Sequence, residues 1–347
     1  MSFELPQEPR AARRAAIGRW ISFALIVVLI ILLGYLGYVG FTGSARLTDA
    51  AAASTDCRTP AIADGWTYEA INYDASTDAT LADNPNPADC PQQGEQAGSR
   101  LVTPDGVQLA GWYIPAGNGM GPEGPTVILA HGYEANKSTM LGHAALLHDD
   151  YNLVLFDFRN HGQSTGDETT QGALEQNDLR KVVDWLDREK GPEEIALLGL
   201  SMGGVAALAE SIADDRIAAV ILDSTHATAA GAIQARLDAD GYPLSLPASW
   251  SVLLGSLIRT GEDISAVDPV QRLAQYPADQ PLLIIEGGQD DLIGPTDADD
   301  LLAAAQDAGA DAQLKICLPA GHGESLEACA GEYRDWVLGF LTRSLAP

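Results

Sequence analysis

From residue 126 onward, short and wholly apolar segments alternate with longer segments whose apolar residues recur at helical spacing. The apolar segments predict strands at Thr126–Ala130, Asn152–Phe156, Ile195–Leu200, Ala218–Leu222, Leu282–Glu286 and Gln313–Leu318. The segments between and after them predict helices at Lys137–His148, Ala173–Lys190, Gly203–Ala213, Asp297–Ala308 and Glu332–Ser344. Buried strands that alternate with helices are typical of a mostly parallel sheet with helices on both faces. The pattern therefore predicts an α/β domain.

The same pattern predicts how this domain begins and where it is interrupted. Trp66–Tyr73 alternates like an edge strand, and Leu101–Ile114 contains two strand-like runs around Pro104-Asp105-Gly106, so the domain is expected to open with antiparallel strands. Between Asp223 and Pro281 only helical patterns occur. An insertion of that length predicts a helical cap at about 224–280, within a domain that spans 65–347.

The amino-terminal region has a different pattern. Four arginines precede residue 20, and Trp20–Gly40 is then uncharged over 21 residues, which as a helix is about 30 Å long and matches a bilayer core. We expect residues 1–19 to be cytoplasmic, 20–40 to form a single transmembrane helix, 41–64 to be a linker, and the domain at 65–347 to be extracytoplasmic. Gly43-Ser44-Ala45 leaves the alternative of a cleaved signal peptide, although signal-peptide cores are usually shorter.

Charge excludes one class of partner. The 347 residues include 48 acidic and 20 basic side chains, for a formal net charge of −28. Such a surface repels polyanions, so no nucleic-acid partner is expected. The acidic surplus is consistent with solubility and indicates no particular function.

All four cysteines follow the apolar segment. Export to an oxidising compartment makes two disulfides plausible, and sequence order suggests the pairs Cys57–Cys90 and Cys317–Cys329. Free buried thiols are the alternative, since connectivity does not follow from sequence.

The segment Gly199-Leu200-Ser201-Met202-Gly203 stands where a predicted strand meets a predicted helix. A serine in such a sharp turn is held out above the sheet, and the first N–H groups of the helix point at the same spot. The sequence therefore predicts Ser201 as a nucleophile. On its own the pentapeptide also occurs in ordinary strand–helix connections, and it is the strand–turn–helix context that favours the catalytic interpretation.

A serine nucleophile needs a base and an orienting carboxylate. His322 follows the last predicted strand, at the edge of the sheet where the serine turn also emerges. Two adjacent aspartates, Asp290 and Asp291, follow the preceding strand, and Asp223 ends the strand after the nucleophile. The order serine, acid, histidine is the one expected for this topology.

From about Tyr68 to the carboxyl terminus the chain resembles the α/β-hydrolase superfamily, in its exported and membrane-tethered serine-hydrolase form. The resemblance is carried by five motifs in the family's order: Gly199–Gly204, Ala130-His131-Gly132-Tyr133, Asp157–Ser164, Gly288–Pro295 and Gly321-His322-Gly323. In similar proteins the acid stands three residues after a glycine and four before a proline. Counted from Gly288 and Pro295 this implies Asp291 as the acid; counted from Gly287 it implies Asp290. Asp223 remains a reserve candidate.

The resemblance also implies an oxyanion hole and an activity. The backbone N–H groups of Tyr133 and Met202 are expected to receive the oxyanion, with His131 holding the loop. We expect a carboxylesterase or acyl hydrolase that acts on a small-molecule or lipid acyl substrate through Ser201, Asp291 and His322. A prolyl-oligopeptidase-like peptidase and a catalytically silent binding or scaffold protein are the alternatives.

No metal or cofactor is expected, because Cys-x-x-Cys, His-Glu-x-x-His and calcium-loop motifs are absent from the sequence. The expected membrane contact is through the amino-terminal helix. The sequence makes no prediction of the oligomeric state.

Overall fold

In the computed structural model, residues 10–49, 58–71 and 101–345 are described, and for 10–17 only the backbone is described. The polar segment Asp74–Gly98 and the predicted Cys57–Cys90 disulfide lie outside these ranges. So do the side chains of three of the four amino-terminal arginines.

Eight strands form one sheet, in the order β1-β2-β4-β3-β5-β6-β7-β8. Their bounds are β1 Glu69–Ile71, β2 Gly111–Ile114, β3 Thr126–Ala130, β4 Asn152–Phe156, β5 Ile195–Leu200, β6 Ile217–Asp223, β7 Leu282–Gly287 and β8 Ala312–Cys317. The pairs β1–β2 and β2–β4 are antiparallel, and the remaining pairs are parallel. The predicted α/β-hydrolase fold with an antiparallel start is confirmed.

Eleven α-helices belong to the described residues. They are α1 Arg10–Thr48, α2 Pro60–Asp64, α3 Leu141–Leu147, α4 Glu175–Glu189, α5 Met202–Ala213, α6 Ala229–Ala239, α7 Ser245–Thr260, α8 Pro269–Arg272, α9 Asp297–Asp307, α10 Ser325–Ala328 and α11 Ala330–Ser344. Short 3-10 helices at Lys137–Met140, Ile264–Val267 and Leu273–Gln275 complete the set.

Apolar side chains pack on both faces of the sheet. On one face Phe156 and Leu197 belong to a cluster with Trp185 of α4, which is fully buried. On the other face Leu155 and Leu198 belong to a separate cluster with Phe340 of α11. Strands buried on both faces explain why β3, β4 and β5 are continuous apolar runs rather than alternating ones.

The insertion between β6 and β7, residues 224–281, consists of helices joined by turns and loops and contains no strand, and the structure describes all of it. It contains α6 and α7, in agreement with the helical patterns predicted between Asp223 and Pro281. These two helices share a cluster with Val39 of α1 that includes Ile233 and Val252.

Helix α1 differs from its prediction at its carboxyl end. The uncharged pattern predicts a helix that ends at Gly40 and a linker from residue 41, but the helix continues through Thr48. The reason is a tertiary contact: Gly40, Gly43 and Ser44 lie against α7, so these residues are held in helix by the cap. One helix of the described chain, at Gly18–Thr48, is long and apolar enough to cross a membrane, which is compatible with an anchor or a signal sequence.

Candidate active site

Ser201 occupies a strained turn between β5 and α5. Its φ and ψ are 53° and −116°, a region that non-glycine residues rarely adopt. The turn is possible because glycines flank it: a Cβ on Gly199 would lie 2.3 Å from the carbonyl oxygen of Gly203, and one on Gly203 would lie 2.3 Å from that of Ala130. The strand–turn–helix context required of the motif is therefore present.

Three side chains from the carboxyl edge of the sheet form a hydrogen-bonded chain. Ser201 follows β5, Asp290 follows β7 and His322 follows β8. The Nε2 atom of His322 lies 2.9 Å from the Oγ atom of Ser201, and its Nδ1 atom lies 2.7 Å from Oδ2 of Asp290. Parallel strands make this convergence possible because their carboxyl ends meet at one edge.

The carboxylate that contacts His322 belongs to Asp290, so the expectation that Asp291 would make this contact is wrong. The Asp290 side chain is 1% exposed, and its Oδ1 accepts a hydrogen bond of 2.9 Å from the Leu292 N–H. Asp291 is exposed to solvent. The two neighbours thus differ in burial as well as in contact with His322.

The error has a physical origin in the glycine doublet. Strand β7 extends to Gly287, one residue beyond its predicted end. A Cβ on Gly287 would lie 2.5 Å from the carbonyl oxygen of Gly321, so Gly287 is the position that the histidine loop approaches. The Asp290 N–H bonds back to the Gly287 carbonyl oxygen and closes a turn that aims Asp290 at His322. The glycine that stands three residues before the aspartate in contact with His322 is therefore Gly287.

Asp223, the reserve candidate, has other partners. Its Oδ2 accepts a 2.7 Å hydrogen bond from the Tyr333 hydroxyl, and its Oδ1 accepts one of 3.1 Å from Ser224. Its backbone carbonyl oxygen accepts the Ser201 N–H, and the Ser224 hydroxyl accepts the Gly323 N–H. This strand end therefore supports both the serine turn and the histidine loop.

The loop after β3 lies beside the serine. A Cβ on Gly132 would be 3.4 Å from the Cβ of Ser201, and Tyr133 lines the same cavity as Ser201. His131 is fully buried: its Nδ1 lies 2.7 Å from the Gly132 carbonyl oxygen, and its Nε2 accepts the Phe158 N–H. Burial lowers the pKa of His131 to about 3, so the ring is neutral and serves to hold the loop.

A cavity of about 540 Å³ opens at Ser201 and His322. Its walls come from three parts of the fold: the loop at Gly132–Ala135, the cap helices, and the carboxyl-terminal part of α1. The cap contributes Ala232, Ile233, Arg236, Leu237, Asp240, Tyr242 and Val252, and α1 contributes Tyr38, Val39, Thr42, Gly43, Arg46 and Leu47. Most of these side chains are apolar, so the cavity suits an apolar chain.

The contribution of α1 to the cavity was missed by the sequence analysis, which placed residues 41–48 in a linker. A signal was present: Gly40 and Ser44 on α1, and Ser251 and Gly255 on α7, are small residues four apart, a spacing typical of closely packed helices. A Cβ on Gly255 would lie 2.5 Å from the Gly40 carbonyl oxygen. The two helices therefore touch backbone to backbone.

His226 also lines the cavity. It is buried, and burial together with the nearby His322 lowers its pKa to about 4. His226 is therefore neutral at pH 7 and faces the cavity as a polar, uncharged wall.

The loop that carries His322 is closed by a disulfide between Cys317 and Cys329, with Cα atoms 6.0 Å apart. This is the second of the two predicted pairs. His322 lies between the two cysteines. Among the described residues, no group of three or more histidine, cysteine or acidic side chains is placed to hold a metal ion.

Comparison with known proteins gives the family. The family model for the alpha/beta hydrolase fold matches residues 125–251. The uncharacterized protein Rv2307c of Mycobacterium tuberculosis strain H37Rv is 32% identical over 249 residues, which cover 70% of this chain and 78% of that protein. The uncharacterized protein YfhR of Escherichia coli strain K12 is 30% identical over 250 residues, covering 70% and 79%.

A solved structure of the Pyrococcus furiosus esterase Pf2001 superimposes with a TM-score of 0.58 at 25% identity, covering 71% of this chain and 91% of the esterase. The chain belongs to the α/β-hydrolase fold family. The family and the esterase neighbour support a hydrolase acting on a small-molecule substrate.

Proposed function

We propose that this protein is a serine hydrolase that cleaves carboxylic ester or thioester bonds of acyl substrates. The observation that carries the proposal is the chain from Ser201 through His322 to Asp290, with contacts of 2.9 and 2.7 Å, at the floor of an apolar cavity. These are the contacts that a serine nucleophile, its base and an orienting acid require.

In the proposed mechanism, His322 Nε2 takes the proton of the Ser201 hydroxyl as Oγ bonds to the acyl carbon. Asp290 accepts the Nδ1 proton of His322 in a hydrogen bond and stabilises the imidazolium. The backbone N–H groups of Met202 and Tyr133 receive the oxyanion, with Met202 at the positive end of α5. His322 then protonates the leaving oxygen or sulfur as its bond to carbon breaks. Water hydrolyses the acyl-serine in a second round with the same proton transfers.

The test is labelling by a fluorophosphonate probe combined with a substrate screen. The wild-type protein should be labelled, Ser201→Ala should not, and His322→Ala should be labelled far more slowly. Turnover should then be measured on esters, thioesters and amides of graded acyl length. Folded wild-type protein that takes no label beside a positive control would contradict the proposal and favour a silent binding protein.

We also propose that α1 is an uncleaved membrane anchor, with the arginine-rich end in the cytoplasm and the hydrolase domain on the other side. The support lies in the fold: the candidate cleavage site at 43–45 lies within a helix, where Ser44 is buried against the cap and accepts a hydrogen bond of 2.9 Å from Arg259. Cleavage there would also remove Val39 and Gly43 from the cavity wall.

The anchor is tested by fractionation and amino-terminal sequencing of the mature protein, with a reporter fused at the carboxyl terminus to locate the domain. We expect full-length protein in the membrane fraction and an extracytoplasmic reporter. A soluble form beginning near Arg46 would show that the helix is a signal peptide.

A further inference from the structure

The part of α1 that projects freely from the domain is too short to cross a bilayer. A Cβ on Gly34 would meet nothing within 4 Å, and the apolar side chains from Trp20 to Leu33 are largely exposed. Trp20–Gly34 is 15 residues, or about 22 Å of helix, whereas a bilayer core is about 30 Å thick. A shortfall of about 8 Å remains, which the next six residues, Tyr35–Gly40, would fill at about 1.5 Å each.

One face of this six-residue segment is already packed against the cap. Tyr35 donates a hydrogen bond from its hydroxyl to the Pro243 carbonyl oxygen, and Tyr35 and Leu36 contact the cap's apolar cluster. A Cβ on Gly40 would lie 2.6 Å from the carbonyl oxygen of Ser251. The start of α7 therefore lies at the same depth as the last two turns of the apolar helix.

The exposed surface of the cap at this depth is apolar and uncharged. Residues 241–258 contain no acidic, basic or histidine side chain. Leu246, Trp250 and Leu254, spaced four apart on one face of α7, are each more than half exposed, with Trp250 at 59%. Helix α7 packs side by side with α1, which exposes Tyr38 and Phe41 beside the residues that contact α7.

Charged and aromatic residues mark where this apolar region ends. On α7 the first charge is Arg259, which reaches the Phe41 carbonyl oxygen at 3.0 Å, and on α1 it is Arg46. Tyr38 and Trp250 are exposed, and each precedes the arginine just named on its own helix. Aromatic side chains on the membrane side of the first charged residues are typical of a membrane–water interface.

We propose that the cap segment Tyr242–Trp250 is immersed in the leaflet next to the hydrolase domain, and that the cavity takes its acyl substrate directly from that leaflet. The proposal deepens the proposed function, because it names a membrane-borne acyl lipid as the substrate class and rests on the anchor. An immersion of about 8 Å is the depth at which amphipathic interfacial helices lie. Tyr38 and Tyr242 line the cavity and are also exposed, so the cavity reaches the immersed surface.

The depth of Trp250 in the membrane is measured by fluorescence quenching on the full-length protein in phosphatidylcholine vesicles. The quenchers are lipids brominated near the top of the acyl chain. In a Trp20→Phe background, Trp250 is the exposed tryptophan at membrane level. We expect the brominated lipids to quench part of the tryptophan fluorescence of the Trp20→Phe protein. This quenched part should be absent in Trp20→Phe/Trp250→Phe. Equal quenching of the two proteins would overturn the proposal and indicate that the bilayer thins around a short helix instead.

Activity supplies a second arm with a matched control. Leu246→Glu places a charge on the immersed face, whereas Ile316→Glu places one on an exposed apolar position of edge strand β8; neither side chain lines the cavity. We expect Leu246→Glu to lower turnover of a long-chain ester held in vesicles at least about tenfold, while a soluble short-chain ester is turned over within about twofold of wild type. Ile316→Glu should change neither. Equal loss on both esters, or no loss on either, would overturn the proposal.

Two further outcomes separate this proposal from its premises. If the protein does not float with vesicles after an alkaline wash, the anchor and the immersion both fail, while fluorophosphonate labelling still reports on the hydrolase. If the detergent-solubilised protein is a dimer that Leu246→Glu converts to a monomer, and Trp250 is not quenched, the apolar face of α7 joins two copies of the chain and the membrane proposal is wrong.

Discussion

The assignment of Asp290 as the acid can be tested by exchanging one oxygen for an amide. In Asp290→Asn the side chain keeps its shape and its acceptor for the Leu292 N–H, 2.9 Å away. In the wild-type protein, Asp290 Oδ2 lies 2.7 Å from His322 Nδ1. In the variant, the amide group can place an N–H donor at that position. The histidine would then carry its proton on Nε2, the atom that must accept the Ser201 proton. The variant therefore favours the unproductive tautomer and leaves the developing imidazolium without a counter-charge.

The expected loss is large because both effects act on the reacting proton. An Asp→Asn change at the acid of a serine protease triad costs about 10⁴ in kcat, and we expect a loss of about 10³ to 10⁴ here. That corresponds to about 4–5.5 kcal/mol of activation free energy. KM should change little, since the carboxylate does not touch the cavity.

Asp291→Asn is the matched control, because it makes the same chemical change one residue away at an exposed side chain. It should retain kcat within about threefold of wild type, as surface substitutions have small effects. The assay is steady-state kinetics on a soluble short-chain ester, with thermal unfolding to show that both variants are folded. If Asp291→Asn proved the more damaging, or if Asp290→Asn kept more than about a tenth of wild-type kcat, the assignment would be refuted.

Three other substitutions test the surroundings of the site. Burial, with neighbouring carboxylates, raises the pKa of Glu286 to about 9, so between its unfolded value of 4.5 and about 9 the folded protein holds a proton that the unfolded chain has released. The free energy of unfolding of the wild type should therefore fall as pH rises through this interval. Relative to the wild type, Glu286→Gln should become more stable from pH 5 to 8, by at most about 1.4 kcal/mol per pH unit. A difference in Tm between the two proteins that does not change with pH would contradict this. Cys329→Ser opens a 13-residue ring around the base, worth about 3 kcal/mol in the chain-entropy model. This variant should have a lower Tm than the wild type, and a lower turnover at temperatures where its circular dichroism is unchanged. A turnover equal to that of the wild type would show that the disulfide does not position His322. Gly255→Val, whose Cβ would lie 2.5 Å from the Gly40 carbonyl oxygen, should separate α1 from the cap and lower both Tm and long-chain turnover, whereas Gly37→Val, with open space around it, should not.

The strands were predictable because the sheet is buried on both faces. Three of the predicted strands, Thr126–Ala130, Asn152–Phe156 and Ile195–Leu200, have the observed bounds. Burial on both faces makes each strand a continuous apolar run, and glycine or polar residues mark its ends. The serine turn was equally local, since the glycines that permit it lie within two residues of Ser201.

The aspartate that contacts His322 was harder to predict, because two aspartates share one loop. Sequence spacing left Asp290 and Asp291 one residue apart, and only the approach of the histidine loop to Gly287 decides which faces inward. That approach joins residues more than thirty positions apart, so no local pattern reports it. The same holds for the partner of Asp223, which is the hydroxyl of Tyr333, 110 residues away.

By itself the sequence determined the order of strands and helices, the sharp turn at Ser201 and the presence of an apolar amino-terminal helix, because each depends on residues within a turn or two of one another. Only the tertiary structure decided which aspartate meets His322 and that α1 is a wall of the cavity rather than a detached tether. The contacts that settle the second point, such as Tyr35 with Pro243 and Arg259 with Ser44, join positions more than 200 residues apart. Their physical basis is close backbone packing of small residues, which a periodic pattern on either helix records as spacing but does not pair with its partner.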